Sequence, residues 1–477
     1  MRGHRAVAAC GGSAFVVRLH NTASGQVEPL PHLRGRVRIY TCGLTVYDHA
    51  HLGHARVFVI FDVLRNLLEE LGFSVDYVQN FTDVDDKILN RARREGVGWR
   101  ELAERYIEEA LRDYEALNLR APTKFVRATE HIAEMVRIIG GLLKKGHAYI
   151  TPTGIYFDVG RFPRYGQVSR RRPEELLAGA RVEPDPTKRH PSDFALWKFY
   201  EDEPSWETPW GRGRPGWHIE CSAMALKYLG RVDVHGGGED LIFPHHENEA
   251  AQAEAYTGKR FARLWMHVAL LQIGGEKMSK SLGNILPIRE ALGRWSANAV
   301  RLFLLQTHYR KRLELSEEGL NRAEELWRLF EEAWWELRQP VAGEGKALEA
   351  RKRYEEFLEA LAQDLNTPAA LLGLQRLARE ILQRSASNAL GEGAARETLH
   401  YWERAMRVLG LKLMEPSPEL LQRVGQLIAR RNELRAKGAY READEIRQEL
   451  ERLGIGLKDY GPRTVFIARS GAAGGGD

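Results

Sequence analysis

The first eighty residues show two periods of apolar residues, one typical of strands and one typical of a helix. Residues 36–42 predict a strand, and between residues 57 and 71 the apolar positions recur at helical spacing. Gly72 ends that helix, and residues 75–78 predict the next strand. Strand, tight turn, helix and strand form a βαβ unit. We therefore predict an α/β fold with a doubly wound parallel sheet.

The pattern changes twice further along the chain. A further amphipathic helix is predicted at residues 101–117, but residues 132–210 are irregular and contain clusters of proline. The β/α pattern resumes near Trp217 and continues to a lysine-rich loop at residue 277. Residues 132–210 are therefore predicted to be an insertion that splits the α/β domain.

The remainder of the chain is predicted to be helical. Ser316 is a suitable N-cap for a helix whose apolar face continues to Leu337. Linkers are predicted at residues 340–345 and 415–418. Further helices are predicted at about 347–363, 367–384, 395–409, 419–436 and 439–453. The predicted segments are 15–131 and 211–295 (the two halves of the α/β domain), 132–210 (insertion), 296–340 (helical region), 341–415 (helical bundle) and 416–470 (small C-terminal domain).

Composition narrows the class of protein. The 477 residues are 43% hydrophobic and 28% charged, as in ordinary globular proteins, and no apolar run approaches the roughly 20 residues that span a bilayer. Three cysteines exclude a disulfide scaffold and indicate a reducing compartment, so we expect a cytoplasmic protein. Residues 1–14 and 471–477 are predicted to be disordered. A net charge of +5 permits nucleic-acid binding without requiring it.

Two short motifs carry candidate chemistry. His51-Leu52-Gly53-His54 lies where a strand leads into a helix, and a helix N-terminus there offers N–H groups to phosphate oxygens. The second motif, Lys277-Met278-Ser279-Lys280-Ser281, supplies positive charge that can stabilise phosphates during phosphoryl chemistry. Taken alone, the first motif could be only a helix cap, and the second could be only a solvated basic turn. Together they indicate a site for a nucleoside triphosphate.

Cysteine, histidine and glutamate side chains suggest a metal site. Cys42 and Cys221 would supply thiolates, and Glu249 lies one helical turn after His245. Two thiolates, one imidazole and one carboxylate form a plausible set of zinc ligands. The spacing alone is no known zinc pattern and does not favour His245 over His246. The alternative is that the cysteines are small buried hydrophobic residues.

These motifs resemble those of class I aminoacyl-tRNA synthetases, and Cys42, Cys221 and the run from His245 to Glu249 narrow the resemblance to the cysteinyl-tRNA synthetases. It extends over residues 15–469. The resemblance implies a Rossmann-type catalytic domain, one zinc ion per chain, and ATP with Mg²⁺. The implied zinc ligands are Cys42, Cys221, His245 and Glu249, and the implied substrate contacts are Thr82, Trp217 and His235. The implied ATP contacts are His51, Gly53, His54, Gly238, Asp240 and Lys280. The implied catalytic residues are His51, His54, Lys277 and Lys280.

The resemblance also implies the reaction and its partners. L-cysteine would react with ATP and then pass to tRNA(Cys), with residues 296–340 contacting the tRNA stem and residues 416–470 binding the anticodon. Residues 411–470 carry twelve lysines and arginines against nine acidic residues, and the basic run from Arg430 to Arg435 could follow phosphates. Where relatives often have a tryptophan near the end, this chain has Phe466. We expect a monomer.

Two other functions fit parts of this pattern. A cysteine ligase of mycothiol synthesis resembles the same catalytic core but transfers cysteine to an amino sugar and lacks the C-terminal RNA-binding domain. A catalytically silent tRNA-binding paralogue would not need intact His51, His54, Lys277 and Lys280. Both features of the chain therefore favour the synthetase.

Overall fold

The chain is divided into two compact units. In the computed structural model the first unit comprises residues 1–294, 307–316 and 362–366, and the second comprises 295–306, 317–361 and 367–477. The residues that the structure describes are 7–8, 14–32, 34–171, 175, 185–278, 283–341 and 345–469. The predicted disordered tail, residues 471–477, lies outside them.

The described residues form the following elements. The strands are β1 (Val7–Ala8), β2 (Ala14–Phe15), β3 (Arg18–Asn21), β4 (Gln26–Pro29), β5 (Arg36–Thr41), β6 (Ser74–Phe81), β7 (Lys124–Arg127), β8 (Ala148–Ile150), β9 (Gly154–Phe157), β10 (Phe194–Phe199), β11 (Gly213–Pro215), β12 (Val232–Gly238), β13 (Ala262–Val268), β14 (Leu271–Ile273), β15 (Glu276–Lys277), β16 (Leu313–Glu314), β17 (Ile455–Tyr460) and β18 (Arg463–Ala468). The α-helices are α1 (Leu52–Glu70), α2 (Asp86–Glu95), α3 (Trp99–Ala116), α4 (Ile132–Lys144), α5 (Trp217–Leu229), α6 (Glu247–Thr257), α7 (Ile288–Leu292), α8 (Ala297–Leu305), α9 (Glu317–Leu337), α10 (Ala350–Ala362), α11 (Thr367–Ala386), α12 (Glu392–Leu409), α13 (Pro418–Ala436) and α14 (Tyr440–Arg452).

A five-stranded parallel sheet forms the centre of the first unit, in the order β13-β12-β5-β6-β7. This confirms the predicted α/β fold. From β5 the chain first proceeds through α1 to β6 and β7, and later returns to place β12 on the other side of β5. The strand order therefore reverses between β5 and β12. In open α/β sheets ligands bind at such a switch point, beyond the carboxyl ends of the strands.

The segment of residues 132–210, whose sequence pattern is irregular, contains regular helix and strands. Residues 132–144 form helix α4, and β8 to β11 form a four-stranded antiparallel sheet in the order β11-β10-β9-β8. The sequence pattern did not indicate these strands because three of them have only three or four residues, too few for a clear alternation. The extension at 1–14 was also predicted to be disordered, but Val7–Ala8 pairs with Ala14–Phe15; the rest of it lies outside the described residues.

The second unit contains α8 to α14 and the hairpin β17-β18. The six helices predicted beyond Ser316 are observed, with their ends shifted by a few residues at most. Long amphipathic periods made these helices recognisable. Among the described residues, no helix is long and apolar enough to cross a membrane.

Candidate active site

The candidate site residues collect at the switch point of the parallel sheet. Cys42 directly follows β5, and the motif that begins at His51 leads from the same strand into α1. Gly238 is the last residue of β12. Cys221 and Glu249 are contributed by the helices α5 and α6. The topology thus joins segments that are about two hundred residues apart in sequence.

Four buried side chains offer ligand atoms within 4.8 Å of one another: Cys42, Cys221, His245 and Glu249. The two Sγ atoms are 3.8 Å apart, much longer than a disulfide bond. Two sulfurs bound to one tetrahedral zinc at about 2.3 Å would be separated by roughly 3.8 Å. His245 Nε2 lies 2.9 Å from Glu249 Oε1. The donor set and its spacing therefore fit a zinc ion.

A second group of four overlaps the first within the described part of the chain, and it comprises Cys42, His235, His246 and Glu249. His246 Nε2 lies 3.3 Å from Cys42 Sγ, so both consecutive histidines face the cluster. However, His235 Nε2 already pairs with Glu249 Oε2 at 2.7 Å. Zinc prefers soft thiolate donors, and only the first group contains two of them. The chemistry of the donors favours the first group.

Burial and hydrogen bonding set the protonation of the cluster. A hydrogen bond from Cys42, followed by one from His245, lowers the pKa of Cys221 to about 6. Burial and the neighbouring thiol raise the pKa of Cys42 well above its ordinary value. Burial alone would raise the pKa of Glu249, but His235 and His245 hold it well below its usual range. The cluster thus holds negative charge, which a divalent cation would neutralise.

Further histidines support the cluster from outside. His218 Nδ1 and His245 Nδ1 are 2.9 Å apart, so one ring donates to the other. When His245 donates through Nδ1, its Nε2, which lies 2.9 Å from Glu249 Oε1, is the nitrogen that would bind a metal ion. His246 Nδ1 contacts His267 Nε2 at 2.7 Å. These roles of His218 and His267 were not predicted from the sequence. Both side chains are polar and almost completely buried, and burial of this kind is visible only in the structure.

The three predicted substrate contacts surround the cluster in different ways. Trp217 is 39% exposed and stacks on His245 with ring centroids 4.2 Å apart, so its face is accessible beside the candidate ligands. His235 is completely buried and pairs with Glu249, so it orients this carboxylate. Thr82 accepts a hydrogen bond from Asn80 Nδ2 at 3.3 Å. Asn80 was not predicted, yet its Oδ1 lies 3.7 Å from Cys221 Sγ.

The first motif forms a helix cap made of two histidines. His51 is the N-cap of α1 and its Nδ1 accepts from Gly53 N at 3.1 Å, while His54 Nδ1 accepts from His51 N at 3.3 Å. The rings stack with centroids 3.7 Å apart. Because Nδ1 accepts in both, the proton of each neutral ring is on Nε2, where it can be donated to a phosphate. A Cβ on Gly53 would lie 2.9 Å from the His51 ring, so any larger residue would force this ring to move.

The second motif is partly described. The backbone of Lys277 pairs with Gln272 in the β14-β15 hairpin, whereas Lys280 lies outside the described residues. The chain that follows the loop returns to the first motif. Leu52 N donates to Leu286 O at 3.0 Å, and His51 forms a bridge with Pro287. The start of α1 and the exit of the lysine loop are therefore neighbours.

The predicted adenosine contacts lie at the end of β12. Gly238 begins the turn that contains Asp240, and a Cβ on this glycine would be 2.5 Å from Asp240 Oδ1. Asp240 is exposed at the switch point. A ribose hydroxyl is a suitable hydrogen-bond donor to such a carboxylate.

Arg56 is a further residue of the site region that sequence analysis missed. It is completely buried, and its guanidinium donates to four backbone carbonyls, those of Ala269, Leu270, His308 and Lys311, at 2.6 to 3.2 Å. Arg56 lies two residues after the first motif, and Leu270 immediately precedes β14. The signal in the sequence was a cation at the start of an otherwise apolar helix. Its role is to hold the base of the lysine loop against α1.

One basic residue of the second unit, which was predicted to follow phosphates, requires a correction. Arg431 was predicted to follow phosphates, but it is 3% exposed and donates to both carboxylate oxygens of Asp459, at 2.9 and 2.7 Å. Phe466 packs on Trp335 with centroids 5.0 Å apart, and its N–H donates to Gln339. Both residues therefore serve the packing of the hairpin β17-β18. Arg430 is exposed on the same helix.

Comparison with known proteins agrees with this fold and site. Residues 29–325 match the family model "tRNA synthetases class I (C) catalytic domain". A solved methionyl-tRNA synthetase from Mycobacterium tuberculosis, bound to methionyl-adenylate, superimposes with a TM-score of 0.58 at 16% identity, covering 78% of this chain and 89% of that one. This similarity is one of fold. The catalytic unit is thus that of the class I aminoacyl-tRNA synthetases.

Curated relatives and the second unit define the family within this class. Residues 417–464 match the "Cysteinyl-tRNA ligase anticodon binding domain". The cysteine--tRNA ligase of Moorella thermoacetica is 46% identical over 93% of this chain and 99% of its own length. That of Aquifex aeolicus is 44% identical over 96% of this chain and 100% of its own length. The chain belongs to the cysteine--tRNA ligase family.

Proposed function

We propose that this chain joins L-cysteine to tRNA(Cys) in two steps that consume ATP. In the first step the cysteine carboxylate attacks the α-phosphorus, the bond to the β-phosphate oxygen breaks, and pyrophosphate leaves. In the second, a hydroxyl of the terminal ribose of the tRNA attacks the carbonyl carbon and AMP leaves. The observation that supports the proposal is that the thiol cluster and the double-histidine cap both include residues that follow the carboxyl end of β5, at the switch point of the sheet.

The cluster of Cys42, Cys221, His245 and Glu249 is proposed to hold one zinc ion. Zinc bound there supplies a contact that selects a thiolate over a hydroxyl, which a hydrophobic pocket does poorly. The chain's own residues prepare the site. Glu249 is oriented by His235 at 2.7 Å, and the exposed ring of Trp217 forms a wall beside His245. Thr82, reached through Asn80, completes the proposed substrate pocket.

The ATP phosphates are proposed to lie against the start of α1. The Nε2 protons of His51 and His54 and the helix N-terminus would stabilise the charge that develops as pyrophosphate leaves. Gly53 permits close approach of the phosphates, and Gly238 and Asp240 would bind the adenosine. Lys277 and Lys280 are proposed to complete the charge compensation together with Mg²⁺. The carboxylate of the amino acid is already ionised at neutral pH, so this step requires no general base.

We propose that the two C-terminal segments predicted to contact tRNA have separate roles. Residues 296–340 would contact the tRNA stem, and residues 416–470 would bind the anticodon, with the exposed Arg430 as a phosphate contact. A mycothiol-type cysteine ligase is not favoured, because residues 417–464 match an anticodon binding domain. A silent paralogue is not favoured either, because the double-histidine cap is intact. A cytoplasmic monomer is the form we propose.

Three assays test this function. Cysteine-dependent exchange of pyrophosphate into ATP tests activation, and its absence would leave only the silent paralogue. Charging of total tRNA with labelled cysteine then distinguishes the synthetase from the amino-sugar ligase, because the ligase would exchange pyrophosphate without charging tRNA. Repeating both assays after zinc removal with a chelator should abolish activity, and added zinc should restore it. Sedimentation of the purified chain tests the monomer.

A further inference from the structure

A row of hydrogen-bonding groups leads from a partly exposed threonine to the candidate metal site. Thr22 Oγ1 lies 2.7 Å from His267 Nδ1, and His267 Nε2 lies 2.7 Å from His246 Nδ1. His246 Nε2 in turn lies 3.3 Å from Cys42 Sγ. Each distance is short enough for a hydrogen bond, and the longest involves the larger sulfur atom. Successive contacts therefore join Thr22 to one of the proposed zinc ligands.

The fold holds these groups in position. Thr22 directly follows β3, and its N–H donates to Trp265 O in β13 at 2.9 Å. His267 belongs to the same strand, two residues further on. His246 immediately precedes α6, and a Cβ on Gly237 of β12 would lie 3.2 Å from its ring. The paired strands β12 and β13 thus fix the hydroxyl and both imidazole rings relative to one another.

The direction of the hydrogen bonds follows from the acceptor at the inner end. A metal-bound cysteine is a thiolate, which accepts hydrogen bonds and has no proton to donate. His246 and His267 are almost completely buried against histidine rings, where a charged imidazole is disfavoured, and a neutral ring has one N–H and one acceptor nitrogen. His246 Nε2 therefore donates to Cys42, and His246 Nδ1 accepts from His267 Nε2. The remaining acceptor, His267 Nδ1, receives the hydrogen bond of the Thr22 hydroxyl.

We propose that Thr22, His267 and His246, here called the outer network, are positioning residues that direct a hydrogen bond at the thiolate of Cys42. This inference rests on the proposed zinc site, and it places His246, which the sequence did not distinguish from His245, outside the set of ligands. A hydrogen bond to a metal-bound sulfur reduces the negative charge that the sulfur donates to the metal. The outer network thereby preserves the attraction of the metal for an incoming thiolate.

Cobalt(II) in place of zinc makes this hydrogen bond measurable. Its visible absorption bands report the number and geometry of the ligands, and its sulfur-to-metal charge-transfer band reports the charge on the sulfurs. In His246→Leu the charge-transfer band should move to longer wavelength, while the visible bands remain those of a four-coordinate ion. The zinc dissociation constant should rise about ten- to a hundredfold in this variant. The amide of His246→Gln keeps an N–H and should restore the position of the band.

The outer end of the network is tested without altering any group that contacts a proposed ligand. Hydrogen bonds in series strengthen one another, so Thr22 contributes although two rings separate it from the sulfur. Thr22→Val removes the hydroxyl and should move the charge-transfer band in the same direction as His246→Leu, but less. Thr22→Ser keeps the hydroxyl and should leave the band in place. Thr208→Val is the matched control, because it removes a partly buried hydroxyl of the same unit that bonds Gly211 O.

The outcomes separate this inference from the proposed function. An unchanged charge-transfer band in His246→Leu, or equal spectra of Thr22→Val and Thr22→Ser, would overturn the outer network. Visible bands that change in His246→Leu would make His246 a ligand and overturn its role as a donor. If His246→Leu does not fold, the two Thr22 variants decide. Failure of the unmodified chain to bind cobalt would contradict the zinc site, whereas cobalt binding without pyrophosphate exchange would contradict only the proposed reaction.

Discussion

Replacement of Asp459 by asparagine tests the finding that Arg431 is a structural residue. Both Arg431 N–H groups are directed at the two oxygens of Asp459, and Arg435 and Thr464 also contact this carboxylate, at 3.0 and 2.7 Å. Asp459→Asn preserves the shape of the side chain and removes its charge. It leaves the guanidinium of Arg431 buried without a counterion, which is more costly than the loss of a surface ion pair.

The expected magnitude follows from the pKa of the carboxyl group. The hydrogen bond from Arg431, then that of Thr464, holds the pKa of Asp459 at about 2, against an ordinary value of 3.8. A shift of this size corresponds to about 2.4 kcal/mol by linkage, and we reduce it to roughly 1 to 2 kcal/mol because a fifth of the side chain is exposed. Because the pKa of Asp459 is lower in the folded state than in the unfolded state, this stabilisation is present at pH values above the ordinary pKa of 3.8. It is lost as the pH falls toward the folded-state pKa of about 2. About half should remain at pH 3.

Hydrogen exchange followed by mass spectrometry measures the stability of the hairpin β17-β18 separately from that of the rest of the chain. A local measurement is needed because a chain of two units need not unfold in one step. At pH 7 the peptides of β17 and β18 should exchange about tenfold faster in Asp459→Asn than in the unmodified chain. After correction for intrinsic rates, the difference should shrink at pH 3. Asp444→Asn, at an exposed position of α14, is the control. Equal exchange in Asp459→Asn and the control would refute the structural role of the Arg431 pair.

Three further predictions concern the first unit. Cys221→Ser should lose most of the bound zinc, measured by metal analysis, and most of the cysteine-dependent exchange; a full zinc content would disprove the ligand set. Gly53→Ala forces a Cβ to within 2.9 Å of the His51 ring, so kcat/KM for ATP in pyrophosphate exchange should fall about ten- to a hundredfold while zinc content is unchanged. Arg56→Lys keeps the charge but cannot reach four carbonyls, so it should destabilise the chain by about 2 kcal/mol, seen as a lower thermal midpoint; an unchanged midpoint would exclude the anchoring role.

The sequence alone predicted the features that depend on short motifs or on long stretches of periodic apolar residues. The βαβ unit follows from the spacing of apolar residues between Arg36 and Val78, and the helices beyond Ser316 follow from their amphipathic period. Gly53 could be recognised as a position of close approach. Motifs of this kind act through the backbone of a few consecutive residues, so the sequence contains all the information that determines them.

Tertiary structure decided which of these residues meet and which are buried. Cys42 and Cys221 are far apart in sequence, and only the strand order of the sheet brings their sulfurs within 3.8 Å. Packing in the first unit placed His246 as well as His245 against the cluster. Packing in the second unit buried Arg431 against Asp459, where a basic helix had suggested an RNA surface. Burial depends on every element that packs against a residue, and a charge pattern along one helix contains no information about its neighbours.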